Sequence, residues 1–139
     1  MNHFKTNEKF LEKFIGVESR LAKKLGINTA GVTDYINRLT NAKAAPNRDE
    51  TLSQLIRFRT LRNRLVHQDG ALRTLDQISK ADVKWLIKFE KSVKKGKDPL
   101  SLHGKNTKSR KRRRLFLVLL FLVLFITSVV SVLIATGTI

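Results

Sequence analysis

Cysteine is absent from this 139-residue chain, which excludes disulfides, thiolate metal sites and cysteine nucleophiles and suits a reducing compartment. Acid is scarce. Only 11 Asp and Glu stand against 28 Lys and Arg, a formal charge of +17. Residues 101–139 contain no acid, but they hold Lys105, Lys108, Arg110, Lys111, Arg112, Arg113 and Arg114. The first 100 residues carry 21 basic and 11 acidic side chains, so they are basic in their own right and suit a polyanionic partner. The apolar–polar alternation of a half-buried strand is missing, and there is no internal repeat. The length allows one small domain and an appendage.

What is present is clearest near the C-terminus. "LFLVLLFLVLFITSVVSVLIATGTI" opens with twelve consecutive apolar residues, 115–126, and continues with only Thr and Ser as interruptions. A helix needs about 20 such residues to cross a bilayer core of about 30 Å. Residues 115–136 are therefore expected to form a transmembrane helix, since so small a soluble domain has nothing to cover it on all sides. "KNTKSRKRRR" precedes it directly. Basic flanks stay on the cytoplasmic side, which places the front domain in the cytoplasm and the C-terminus just across a single-pass membrane. The plain role of this run is topology and contact with lipid headgroups. A sharper reading makes it an RNA-binding arm. Residues 96–114 read as a basic linker, punctuated by Gly96, Pro99 and Gly104, with His103 in solvent.

Residues 1–95 read as all-helical. "NEKFLEKFIGVESRLAKKLG" sets Phe10, Leu11, Phe14, Ile15, Leu21 and Leu25 at helical spacing and stops at Gly26. "NTAGVTDYINRL" predicts a short second helix capped by Asn28 or Thr29. "PNRDETLSQLIRFRTLRNRLVH" predicts a third, with Asn47 and Glu50 spaced as a capping box. "QDGA" breaks the chain. "SKADVKWLIKFEKSVKKG" predicts a fourth helix from a Ser79/Asp82 cap to Gly96, with Trp85, Leu86, Phe89 and Val93 as its apolar stripe.

The third helix is unusual. At about 100° per residue, Leu61, Leu65, Phe58, Leu55, Val66, Leu52 and Ile56 span an arc of about 220°. A helix packed on one side needs less, so a second cover is expected, for which a partner subunit would serve. Arg59, Arg62, Asn63 and His67 fall in or beside the arc, whereas Arg57 and Arg64 point away and read as solvated. The plain account is that the arginines snorkel and that Asn63 and His67 cap local backbone. The alternative is that these polar residues form a site.

"RNRLVH" resembles the R-x4-H motif of the HEPN superfamily, including the Asn directly after the Arg. The wider pattern is similar too: an all-helical domain, a short second helix, a long helix ending in the motif and a break straight after the His. The resemblance covers residues 5–95 and implies a HEPN-like helical bundle. It further implies metal-independent RNA cleavage without a cofactor, at a composite site where two copies of the motif meet in a homodimer. On that basis Arg62 would hold the scissile phosphate, His67 would move the proton of the 2′-OH or the leaving 5′-oxygen, and Asn63 would orient His67 or the phosphate. Arg59 and Arg64 are the neighbouring cations expected to bind substrate. The residue types suit the task. Arg offers a permanent forked donor for phosphate, and an imidazole titrates near 6.5. Attack by a 2′-OH confines the substrate to RNA. One HEPN branch carries Tyr two residues after the His; here Asp69 stands there, which argues against regulation by modification of that tyrosine and fits an Asp69–Gly70 turn.

Three functions follow as expectations. The first is a membrane-anchored endoribonuclease of the toxin or antiphage-defence kind, at a bacterial inner membrane, with a regulatory protein partner. The second is a non-catalytic adaptor at the inner leaflet. The third is a toxin acting through its span, against which stand the absence there of G-x-x-x-G and of intramembrane charge.

Overall fold

The computed structural model describes residues 3–137, and among these every regular element is a helix. The order is α1 His3–Leu25, α2 Gly31–Asn41, α3 Arg48–His67, the single turn α4 Ala71–Thr74, α5 Lys80–Lys94 and α6 Pro99–Ala135. The all-α expectation, with one long apolar C-terminal helix, holds. The chain divides at His103–Gly104 into two units.

In the first unit α1 buries Phe10, Phe14, Val17 and Leu21, a stripe at spacings of four, three and four. Ile15, expected in that stripe, is 52 % exposed, because it lies a quarter-turn or more from Phe14 on the wheel. A train of aromatic rings joins the helices. Phe10 meets Phe58 edge-on at 5.3 Å, Phe58 meets Trp85 at 5.4 Å, and Trp85 stacks on Phe89 at 5.0 Å. Tyr35 closes the series on Phe89 at 5.6 Å. Such pairs add to the area-driven gain from burying large rings.

α2 starts at Gly31 because that position lies against α1. A Cβ there would sit 2.3 Å from the Glu18 carbonyl oxygen and 2.5 Å from the Ala22 nitrogen. The residue before the helix is Ala30 with φ 56°, so neither Asn28 nor Thr29 caps it. The Asn47/Glu50 capping box is also not formed. Asn47 takes the left-handed conformation, φ 50°, which Asn tolerates, and its side chain makes no cap bond. Arg48 instead reaches back to the Leu39 and Thr40 carbonyls at 3.2 and 2.8 Å, covering the orphan end of α2. The Ser79/Asp82 capping box of α5 is present as expected. Asn7, wholly buried on α1, donates to the Leu72 and Leu75 carbonyls at 3.1 and 2.7 Å and so fixes α4, which the sequence did not suggest.

The reading of residues 96–114 as an irregular linker is overturned: α6 begins at Pro99. Asp98 accepts the Ser101 amide at 3.2 Å and acts as its N-cap, and proline at the first helical position wastes no donor. The first unit consequently extends to His103, which is half-buried, and Leu100 packs on the core.

In the second unit nearly all the large apolar residues of α6 are exposed, among them Leu115 at 62 %, Phe125 at 71 % and Ile134 at 64 %. This helix is long and apolar enough to cross a membrane.

Candidate functional site

α3 buries Leu52, Leu55, Phe58, Leu61 and Leu65. These cover about half of the helix circumference. Ile56, at one end of the expected wider arc, and Val66, within it, are 43 % and 48 % exposed. The bundle therefore covers α3 from one side and leaves a sector of its C-terminal half open.

The motif residues lie on or beside that open sector. Asn63 and His67 are exposed, Arg59 is half-buried between Ile56 and Val66, and Arg62 is half-buried at the edge. Arg62 donates from Nη1 to Asn63 Oδ1 at 3.2 Å. Its Nε is shut off from solvent and bonded to nothing among the described residues. An unmet donor on a charged group costs free energy of about 1–3 kcal/mol or more. Arg62 lines a cleft of about 630 Å³ shared with Ile15, Glu18, Ser19, Lys23, Asn28 and Thr29. No sequence pattern pointed to these α1 and loop residues, which reach Arg62 only through the packing of α1, α2 and α3.

Arg62 and Asn63 are thus brought together, whereas His67 is not brought to Arg62 within one chain. Five residues along a helix give about 7.5 Å of rise and about 140° of rotation. His67 occupies the last position of α3, and Asp69 and Gly70 (φ 74°) form the turn that follows.

Arg64 and Arg57 depart from expectation. Arg64 lies about 160° around the helix from Arg62 and donates to Gln77 Oε1 at 2.7 Å, so it does not share the motif face. Arg57 is a structural tie. Its fork grips both carboxylate oxygens of Asp82, at 2.8 and 3.2 Å, and the Gln77 carbonyl at 3.0 Å. Burial pushes the Asp82 carboxyl up, but the bonds from Arg57 and Ser79 outweigh it and hold it below the usual carboxylate range.

A second polar cluster sits at the root of α6. Asp98 is wholly buried, pairs with Lys24 and accepts the Tyr35 hydroxyl at 2.9 Å. Burial again opposes its charge, and the bonds from Lys24, Ser101 and Tyr35 win, leaving its carboxyl below the usual range. Burial and the Asp98 charge push the Tyr35 hydroxyl up. Among the described residues no three His, Asp or Glu side chains gather into a group fit for a metal ion.

A family of unknown function (DUF6548) matches residues 8–118, from α1 through the basic run into the first residues of the apolar segment. No curated protein and no solved structure matches the chain.

Proposed function

The chain belongs to this family of unknown function, which assigns no chemistry, and we propose from its own residues that it is a membrane-anchored, metal-independent endoribonuclease. One observation carries the proposal. Arg62, Asn63 and His67 lie on or beside the sector of α3 that the bundle leaves open, and the buried Nε of Arg62 has no partner among the described residues. A phosphate oxygen is the natural acceptor for that donor.

The chemistry needs two copies. Within one chain Arg62 and His67 point apart, while Ile56 and Val66 supply exposed apolar contacts on the same face. A second copy packed there sets the His67 of one subunit beside the Arg62 of the other. His67 takes the proton of the ribose 2′-OH, whose oxygen bonds to phosphorus. The P–O5′ bond breaks, and the leaving oxygen takes the proton that His67 has accepted. Arg62 neutralises the charge gathering on the phosphorane oxygens. Asn63 positions Arg62 through the bond already present, and Arg59 meets the flanking backbone. The products are a 2′,3′-cyclic phosphate and a 5′-hydroxyl.

The basic run 105–114 and the apolar part of α6 support a single-pass topology. The positive flank holds the helical unit on the cytoplasmic side, each charge contributing about 1 kcal/mol near an anionic surface. A tethered nuclease of this kind suits antiphage defence or a toxin held in check by a regulatory partner.

The test uses the full chain in neutral-lipid discs with total RNA and a chelator. The expected result is fragments ending in cyclic phosphate, lost in His67→Ala and Arg62→Ala. Intact RNA at high protein concentration would instead favour a non-catalytic adaptor at the membrane face.

A further inference from the structure

A second basic feature lies away from the motif face. α1 and α5 pack together, and near their N-termini Lys5, Lys9, Lys80 and Lys84 surround a hollow of about 300 Å³. Thr6, Val83 and Ile87 complete its lining, and no acid contributes to it. The volume is at the lower end of small-ligand pockets.

All four lysines are exposed, and three physical facts concentrate positive charge at this cluster. Lys5 and Lys9 are four residues apart on one helix, and so are Lys80 and Lys84 on the other, a spacing at which like charges repel. Lys80 is the first residue of α5, where the helix dipole is positive and disfavours a cation. The ion pairs among the described residues engage Lys13, Arg20, Lys24, Arg38, Arg48 and Arg57, and none of the four pocket lysines. Six of the eleven acids are engaged in these pairs, and the hollow keeps a focused positive potential over an apolar floor.

We propose that this hollow is a binding site for a phosphorylated ligand, its clustered phosphate charge held between Lys5 and Lys9 of α1 and Lys80 and Lys84 of α5, and its less polar body resting on Val83 and Ile87. The chemistry is shared by a free phosphorylated metabolite such as a nucleoside polyphosphate and by a phosphomonoester lipid headgroup. The site is independent of α3 and of the ribonuclease reading.

Trp85, the chain's single tryptophan, follows Lys84 directly and serves as the reporter. Full-length protein in phosphatidylcholine discs is titrated with pyrophosphate and with ATP, and a parallel sample uses discs containing phosphatidic acid. Saturable change in the first arm identifies a free ligand. Change in the second arm alone identifies a headgroup. In either case Lys80→Gln/Lys84→Gln weakens binding by at least about tenfold, the loss of one charge-assisted contact. Lys94→Gln/Lys95→Gln, at the opposite end of α5, leaves it unchanged. Without ligand, the Lys80/Lys84 variant melts at or above the wild type, because repulsion has been relieved. The proposal is overturned by silence in both arms, by binding that survives the Lys80/Lys84 substitutions, by equal loss in the Lys94/Lys95 variant, or by an unliganded Lys80/Lys84 variant that melts below the wild type.

Discussion

Arg62 is the residue where stability and the proposed chemistry conflict. Its Nε is buried without a partner among the described residues, which costs free energy in the resting fold. Arg62→Met should therefore keep or raise the melting midpoint while RNA cleavage falls by about 10²–10⁴-fold, the usual worth of a positioned catalytic group. Loss of both stability and cleavage would make Arg62 a packing residue. Arg62→Lys should not rescue, because an ammonium lacks the fork. Asp98 is the opposite case, a buried charge with every partner in place. Its carboxyl is depressed in the fold, so its stabilisation is present above the unfolded carboxylate pKa, about 3.9, and fades as pH falls through the lower folded value. Asp98→Asn should cost about 1–3 kcal/mol at neutral pH and flatten the acid branch of a melting-point-against-pH curve. None of this cluster was legible in the sequence. Lys24 and Tyr35 lie 74 and 63 residues from Asp98, and no local rule couples such distances.

Local signals, by contrast, survived at the scale of helices. Ser79 and Asp82 form their capping box because both partners lie within one turn. The Asn47/Glu50 pair had the same spacing and failed, since the backbone at Asn47 turns left-handed and Arg48 bridges back to α2. Pro99 read as linker punctuation and proved to be a helix start, because a cap followed by proline is written with the letters of a turn. The wheel of α3 located the core face correctly but could not say that Ile56 and Val66 lie outside it. Which parts of a wide arc are covered depends on where α1 and α2 stop. Ile56→Asp and Val66→Asp should leave the melting midpoint nearly unchanged, shift the chain toward monomer in sedimentation and remove cleavage. A variant that stays dimeric would place the subunit contact elsewhere. Gly31→Ala tests the α1–α2 approach. A methyl 2.3 Å from a carbonyl oxygen must push the helices apart, and denaturant unfolding should show a loss of about 1–3 kcal/mol.

At the scale of the whole molecule, an all-helical basic unit is joined in sequence to a helix long and apolar enough for a bilayer. The charge asymmetry has a purpose in the proposed topology, because the cations of 105–114 hold one end of the span at the cytoplasmic face. The composite nature of the site also belongs to this scale. Mixed subunits carrying Arg62→Ala and His67→Ala should recover part of the activity, since one Arg62 then meets one His67 across the interface. No recovery would put both groups to work within one chain. The central claim is metal-independent RNA cleavage by Arg62 and His67. It is tested most directly by full-length protein in neutral discs, with RNA and excess chelator, scored for 2′,3′-cyclic phosphate ends. The account predicts such ends with the wild type and their absence with His67→Ala; cleavage that persists in His67→Ala, or RNA left intact by the wild type, would contradict it.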